Sequence, residues 1–173
     1  MFNRKWFMVL FVACSFAGFG AAYAGDGAAR NAGQTLIIDI PINLDKANVV
    51  FDVGQAVYAG HMPYVFEDIH TLASSTSDLN PPAQIFAVFH GEAAYLVLND
   101  ETYNANRHVT TGNPYATLIA GLKKQGVLIE LCGATAAANH WGNANLLPGV
   151  RVNTSAMARV TQLQQLGYTL IYE

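Results

Sequence analysis

The sequence predicts an α/β domain in three layers, with helices on both faces of a mostly parallel sheet of about five strands. Three observations predict it. Short apolar runs such as ANVVFDV (47–53), AQIFAVF (83–89) and VLIEL (127–131) suit strands buried on both faces. Stretches with apolar residues at helical spacing lie between them. The two kinds of segment alternate at lengths that build βαβ units rather than hairpins.

The chain opens MFNRKWFMVLFVACSFAGFGAAYA. Arg4 and Lys5 precede an apolar core over 6–19, and Ala22-Tyr23-Ala24 has the small-x-small pattern of a cleavage site. The run is short for a membrane span, so 1–24 reads as a secretory signal cut between Ala24 and Gly25, without stable membrane insertion afterwards. Cys14 reads as one more apolar residue of that core, because Phe11-Val12-Ala13 is a poor approach to a lipidation cysteine. The expected location is periplasmic or secreted. Residues 25–34 form a small, polar leader, and 35–173 a single domain, long enough for a full core.

Within that domain TLIIDIPI (35–42) is β-rich and reads as an added edge strand, since Pro41 does not suit a central one. After the strand over 47–53, a loop over 54–62 leads to a helix over 63–74, with Pro63 first and Val65, Ile69 and Leu72 inward. A polar loop over 74–82 precedes the second buried strand, which delivers His90-Gly91-Glu92 at its end. Residues 93–98 fit strand or helix. NDETYNANRHVTTG (99–112) reads as a long polar loop. Asn113 and Pro114 open a helix whose buried stripe is Tyr115, Leu118, Ile119 and Leu122, ended by Gly126. The cysteine strand follows, then a small-residue helix from Ala134 to about His140. A short strand over 150–152, a helix with Ala156, Val160 and Leu163 inward, and a last strand over 168–172 close the chain.

The chain carries −3 formal charge, and loss of Arg4 and Lys5 makes it more acidic, which argues against nucleic-acid partners. No glycine pattern for dinucleotides, no phosphate loop and no GxSxG elbow occurs. His61, His70, His90, His108 and His140 show no tight ligand spacing, and no metal or other cofactor is expected. Cys132 is left as the single cysteine of the mature chain, unable to form an internal disulfide. It stands past the carboxyl end of a parallel strand and ahead of a helix, where ligands bind and where a thiolate is favoured. A small buried hydrophobe ending a strand accounts for its position equally well.

The stretch GVLIELCGATAAANHWGN resembles the DsrE/DsrF-like sulfur-relay family, with its reactive cysteine after a GV-x-I-x-x-C strand. AVFHGEAAYLVLND and the ending GVRVNTSAMARVTQLQQLGYTLIYE resemble that family's second strand and its closing strand, helix and strand. The likeness spans nearly all of 47–173. It implies a sulfur carrier or sulfurtransferase-like protein, with Cys132 holding sulfane sulfur as a persulfide for a partner thiol. A homo-oligomer and a partner protein that donates or accepts sulfur are implied as well. The export signal departs from the better-known, cytoplasmic members.

On that reading the N–H groups of Gly133, Ala134 and Thr135 cup the outer sulfur, Gly133 permitting close approach. His90 is the candidate proton donor, and Arg107 and His108 are candidates for an anionic substrate such as thiosulfate. Two other readings stay open. One is a non-catalytic, oligomeric binding protein for a soft metal or small ligand, using Cys132 with one or more of His90, His108 and His140. The other is a structural subunit of a sulfur-metabolism complex, suited to a chain 52% apolar and only 12% charged.

Overall fold

The computed structural model describes residues 36–173. The expected signal over 1–24 and leader over 25–34 lie outside the described residues. The chain divides after Pro41. The edge strand expected over 35–42 is absent from the described part of that stretch, which has only a bend at Asp39-Ile40. Leu36, Ile37, Ile38 and Ile40 are exposed. High β propensity is not enough without a hydrogen-bonded neighbour, and Pro41 removes a donor.

The unit from Ile42 onward is built on five parallel strands: β1 (Asn48–Val53), β4 (Gln84–Phe89), β5 (Leu128–Cys132), β6 (Arg151–Asn153) and β7 (Thr169–Tyr172). Their order across the sheet is β6-β5-β4-β1-β7. A two-residue ribbon, β2 (Tyr58–Ala59) with β3 (Met62–Pro63), occupies what reads in sequence as plain loop. Helix α1 (Tyr64–Ser75) follows, so Pro63 takes the cap position rather than the first turn.

Odd and even positions of the strands face opposite layers. Val49, Phe51, Val53, Ala87, Phe89, Ile129 and Leu131 meet α1 and α3 (Ala116–Lys124) in the larger core. Val50, Phe86, Val88 and Cys132 meet Ala156, Val160 and Leu163 of α5 (Ala156–Gln165) on the other face. Phe51, Phe89 and Ile69 are almost wholly buried. Each contributes about 1.5–3 kcal/mol of apolar burial. Because one helix covers the second face, polar groups are tolerated at the carboxyl ends of its strands.

Two stretches between β4 and β5 differ from expectation. Of the ambiguous residues 93–98, all but the last belong to a 3-10 turn, Gly91–Val97, packed into the larger core, and Leu98 makes an isolated antiparallel bridge with Leu146. The supposed loop over 99–112 contains α2 (Asp100–Arg107). Asn99 caps it, its side chain accepting from Thr102 N–H at 2.9 Å. Asp100 and Glu101 lie at its positive end and Arg107 at its negative end. Only Thr102 and Tyr103 are buried, too narrow a stripe to show in hydropathy. Asn113 accepts from Tyr115 N–H and so closes the turn ahead of α3, which starts later than Pro114.

Candidate functional site

β5 ends at Cys132, the cap position of α4 (Gly133–Ala138), so the strand turns into a helix at the sulfur itself. Packing gives a reason of its own for glycine at position 133. A Cβ on it would fall 2.4 Å from the Asn153 carbonyl oxygen and 3.2 Å from that of Thr154. The missing side chain lets β6 run tight against the turn, which pairs Cys132 with Asn153.

Cys132 is 5% exposed and lies in an apolar cluster with Val88, Ala156 and Val160. Burial by itself pushes the thiol pKa up. Hydrogen bonds to Sγ reverse this: the N–H groups of Thr135 and Ala156, the Thr135 hydroxyl and the Ala134 N–H leave it lowered. The Ala156 N–H lies 3.2 Å from Sγ. Thr135 Oγ1 accepts from the Gly91 N–H at 3.3 Å, which leaves its own hydrogen for the sulfur. The arrangement stabilises a thiolate.

The same face carries three ionisable side chains in otherwise apolar strands. Glu130, one pleat before Cys132, is held by Arg159 Nε and Nη2 at 2.9–3.1 Å and by Asn153 Nδ2 at 3.0 Å. Asp52 of β1, 8% exposed, meets His90 Nε2 at 2.8 Å. Phe89 pairs with Leu131, so His90, the next residue, continues into the row of Cys132.

Arg107 lies 4.2 Å from the centre of the Tyr95 ring. Together with Tyr95, Gly91, Trp141, Ala134 and Thr135 it lines a crevice of about 540 Å³. Of the two residues expected to meet an anion, Arg107 therefore stands beside the cysteine turn. His108 is an exposed, left-handed residue ending α2 and does not line that crevice. His140 is likewise exposed and left-handed. Among the described residues no group of three or more His, Cys, Asp or Glu stands close enough to hold a metal ion, so Cys132, His90, His108 and His140 are not gathered into one. Asp52 and Glu130 escaped the sequence reading, although each was a charge inside an apolar strand.

A model of the DsrE/DsrF-like family matches residues 48–172. Among solved structures, a protein of unknown function from Methanobacterium thermoautotrophicum, MTH1491, is similar in fold, with a TM-score of 0.58 and 21% identity over 73% of this chain and 99% of its own. The ychN protein of E. coli is similar at a TM-score of 0.51 and 15% identity, with the same coverage of both chains. No curated protein matches the sequence.

Proposed function

The chain belongs to the DsrE/DsrF-like family, and from that premise we propose that it carries sulfane sulfur as a persulfide on Cys132 and passes it to a partner thiol. The observation that carries this reading is a buried thiol at the strand-to-helix turn that accepts from the Ala156 N–H at 3.2 Å inside an apolar cluster, its pKa lowered despite that burial. A thiolate is the attacking species in sulfur transfer and also the leaving group when the sulfur moves on, so whatever stabilises it serves both steps. Ala134 and Thr135, the second and third residues after Cys132, line the 540 Å³ crevice, which supports entry of a small donor from that side. Arg107 at the crevice wall favours a donor with an anionic end, such as thiosulfate.

Intact mass after exposure to polysulfide tests the proposal. The protein should gain one or more sulfur atoms that a reductant removes, and Cys132→Ser should gain none while keeping its fold. A gain that survives the substitution, or no gain in the parent, ends the reading.

We further propose export and self-association. Arg4-Lys5, the apolar run and Ala22-Tyr23-Ala24 support a signal, and protein recovered from the periplasmic fraction should begin at Gly25. No helix among the described residues is long and apolar enough to cross a membrane. The apolar composition supports a homo-oligomer, which light scattering should show; a monomer at high concentration would refute it.

A further inference from the structure

We propose that Asp52 and His90 form a proton relay for sulfur transfer at Cys132, His90 protonating the departing thiolate through Nδ1 and Asp52 fixing the ring through Nε2. The inference rests on the sulfur-carrier reading of Cys132 and adds to it the groups that move the proton.

Four observations carry it. Asp52 is a carboxylate placed inside a buried strand, and its one side-chain partner is His90 Nε2 at 2.8 Å. An unpaired carboxylate there would be costly, so the pair is maintained by the fold. The ring lies directly over Gly54, where a Cβ would stand 2.9 Å from Cε1. The His90 N–H bonds the Val53 carbonyl at 3.0 Å and its backbone is extended, so it prolongs β4 by one residue. That puts its Cβ on the face of Val88 and Cys132, in the row of Cys132, on strands about 4.8 Å apart. Finally, Nδ1 has no protein partner among the described residues, while the side chain remains 24% exposed. Carboxylate on one nitrogen and an open second nitrogen is the arrangement of an oriented acid–base histidine. Asp52 is a positioning residue in this scheme.

The steps balance without an outside oxidant. The Cys132 thiolate attacks the outer sulfur of R–S–SH. The new Sγ–S bond forms as the S–S bond to R breaks, and R–S⁻ takes the proton of His90 Nδ1 to leave as R–SH. In the return step an acceptor R′–SH gives its proton to the neutral Nδ1. R′–S⁻ then attacks the outer sulfur, and Cys132 leaves as the thiolate. On this face of the sheet the other titratable groups are Glu130 with its partner Arg159, Cys132, and Tyr172, which pairs with Asp52.

The test loads the full-length protein with polysulfide, then follows sulfur release to a small thiol over a range of thiol concentrations. His90→Gln should still load at Cys132 but release sulfur on the order of 100-fold more slowly at saturating thiol. Asp52→Asn should lose less of that saturating rate, with the half-saturating thiol concentration unchanged. Should His90→Gln misfold, Gly54→Ala displaces the ring without removing it and must slow release in the same way. A parental release rate in a folded His90→Gln that loads normally would overturn the relay. Failure of the parent to load would instead overturn the sulfur-carrier reading beneath it.

Discussion

Two glycine-to-alanine changes should move stability in opposite directions. At Gly133 the added methyl would sit 2.4 Å from one backbone oxygen and 3.2 Å from another, where ordinary contact begins near 3.4 Å. About 1 Å must open, and both obstructing atoms are backbone, so no side chain can swing away. The strand that yields is β6, whose last pair with β5 is Cys132 with Asn153. Losing that pair and straining the Asn153–Glu130 bond costs about 3 kcal/mol, and the better helix propensity of alanine returns less than about 1. The expected net loss is about 2 kcal/mol, or a Tm lower by roughly 6 °C. Gly121, inside α3 with nothing within 4 Å of its would-be Cβ, should gain about 0.5–1 kcal/mol from the same substitution. Urea denaturation of both variants beside the parent reads the difference. A Gly133→Ala protein as stable as the parent would refute the packing assigned to the cysteine turn.

Arg159→Met should destabilise by about 3 kcal/mol, because it leaves the buried Glu130 carboxylate with Asn153 alone; Glu130→Met added to it should recover most of the loss. Denaturation curves of the single and double variants check this, and a single-variant loss below about 1 kcal/mol would contradict it. Tyr115 is pushed up to about 12, first by burial and then by its hydrogen bond with Tyr58. Its folded-state value is raised, so its contribution is complete below the unfolded value of 10.0 and is lost as pH climbs through 12. Phenolate absorption should therefore show a late-ionising group that Tyr115→Phe lacks; the same titration curve in both proteins would refute it.

The sheet was legible because β1, β4, β5 and β7 are mostly apolar, whereas β6, Arg151–Asn153, is short and mostly polar and was placed from the turn before it and the helix after it. Helix α2 was not, because it is secured by a cap and by end charges rather than by an apolar stripe. The isolated strand TLIIDIPI was misread for the reverse reason, since composition names a strand former but not a partner. At the site, Cys132 and the helix after it could be placed from sequence. A packing role for Gly133 was not legible, because the atoms it makes room for come from residues 153 and 154. Asp52 was visible as a lone acid in ANVVFDV, yet its partner His90 lies 38 residues on, and only strand order brings them together.

The central claim is that Cys132 is a thiolate held by the fold, and its pKa tests that most directly. Ultraviolet thiolate absorption of the parent, less that of Cys132→Ser, should follow one titration with its midpoint below the value of about 8.5 for a free cysteine. Unfolding in urea should return the midpoint to that value. A folded-state midpoint above it would show that burial outweighs the hydrogen bonding at Sγ, and Cys132 would then be core packing rather than a sulfur carrier.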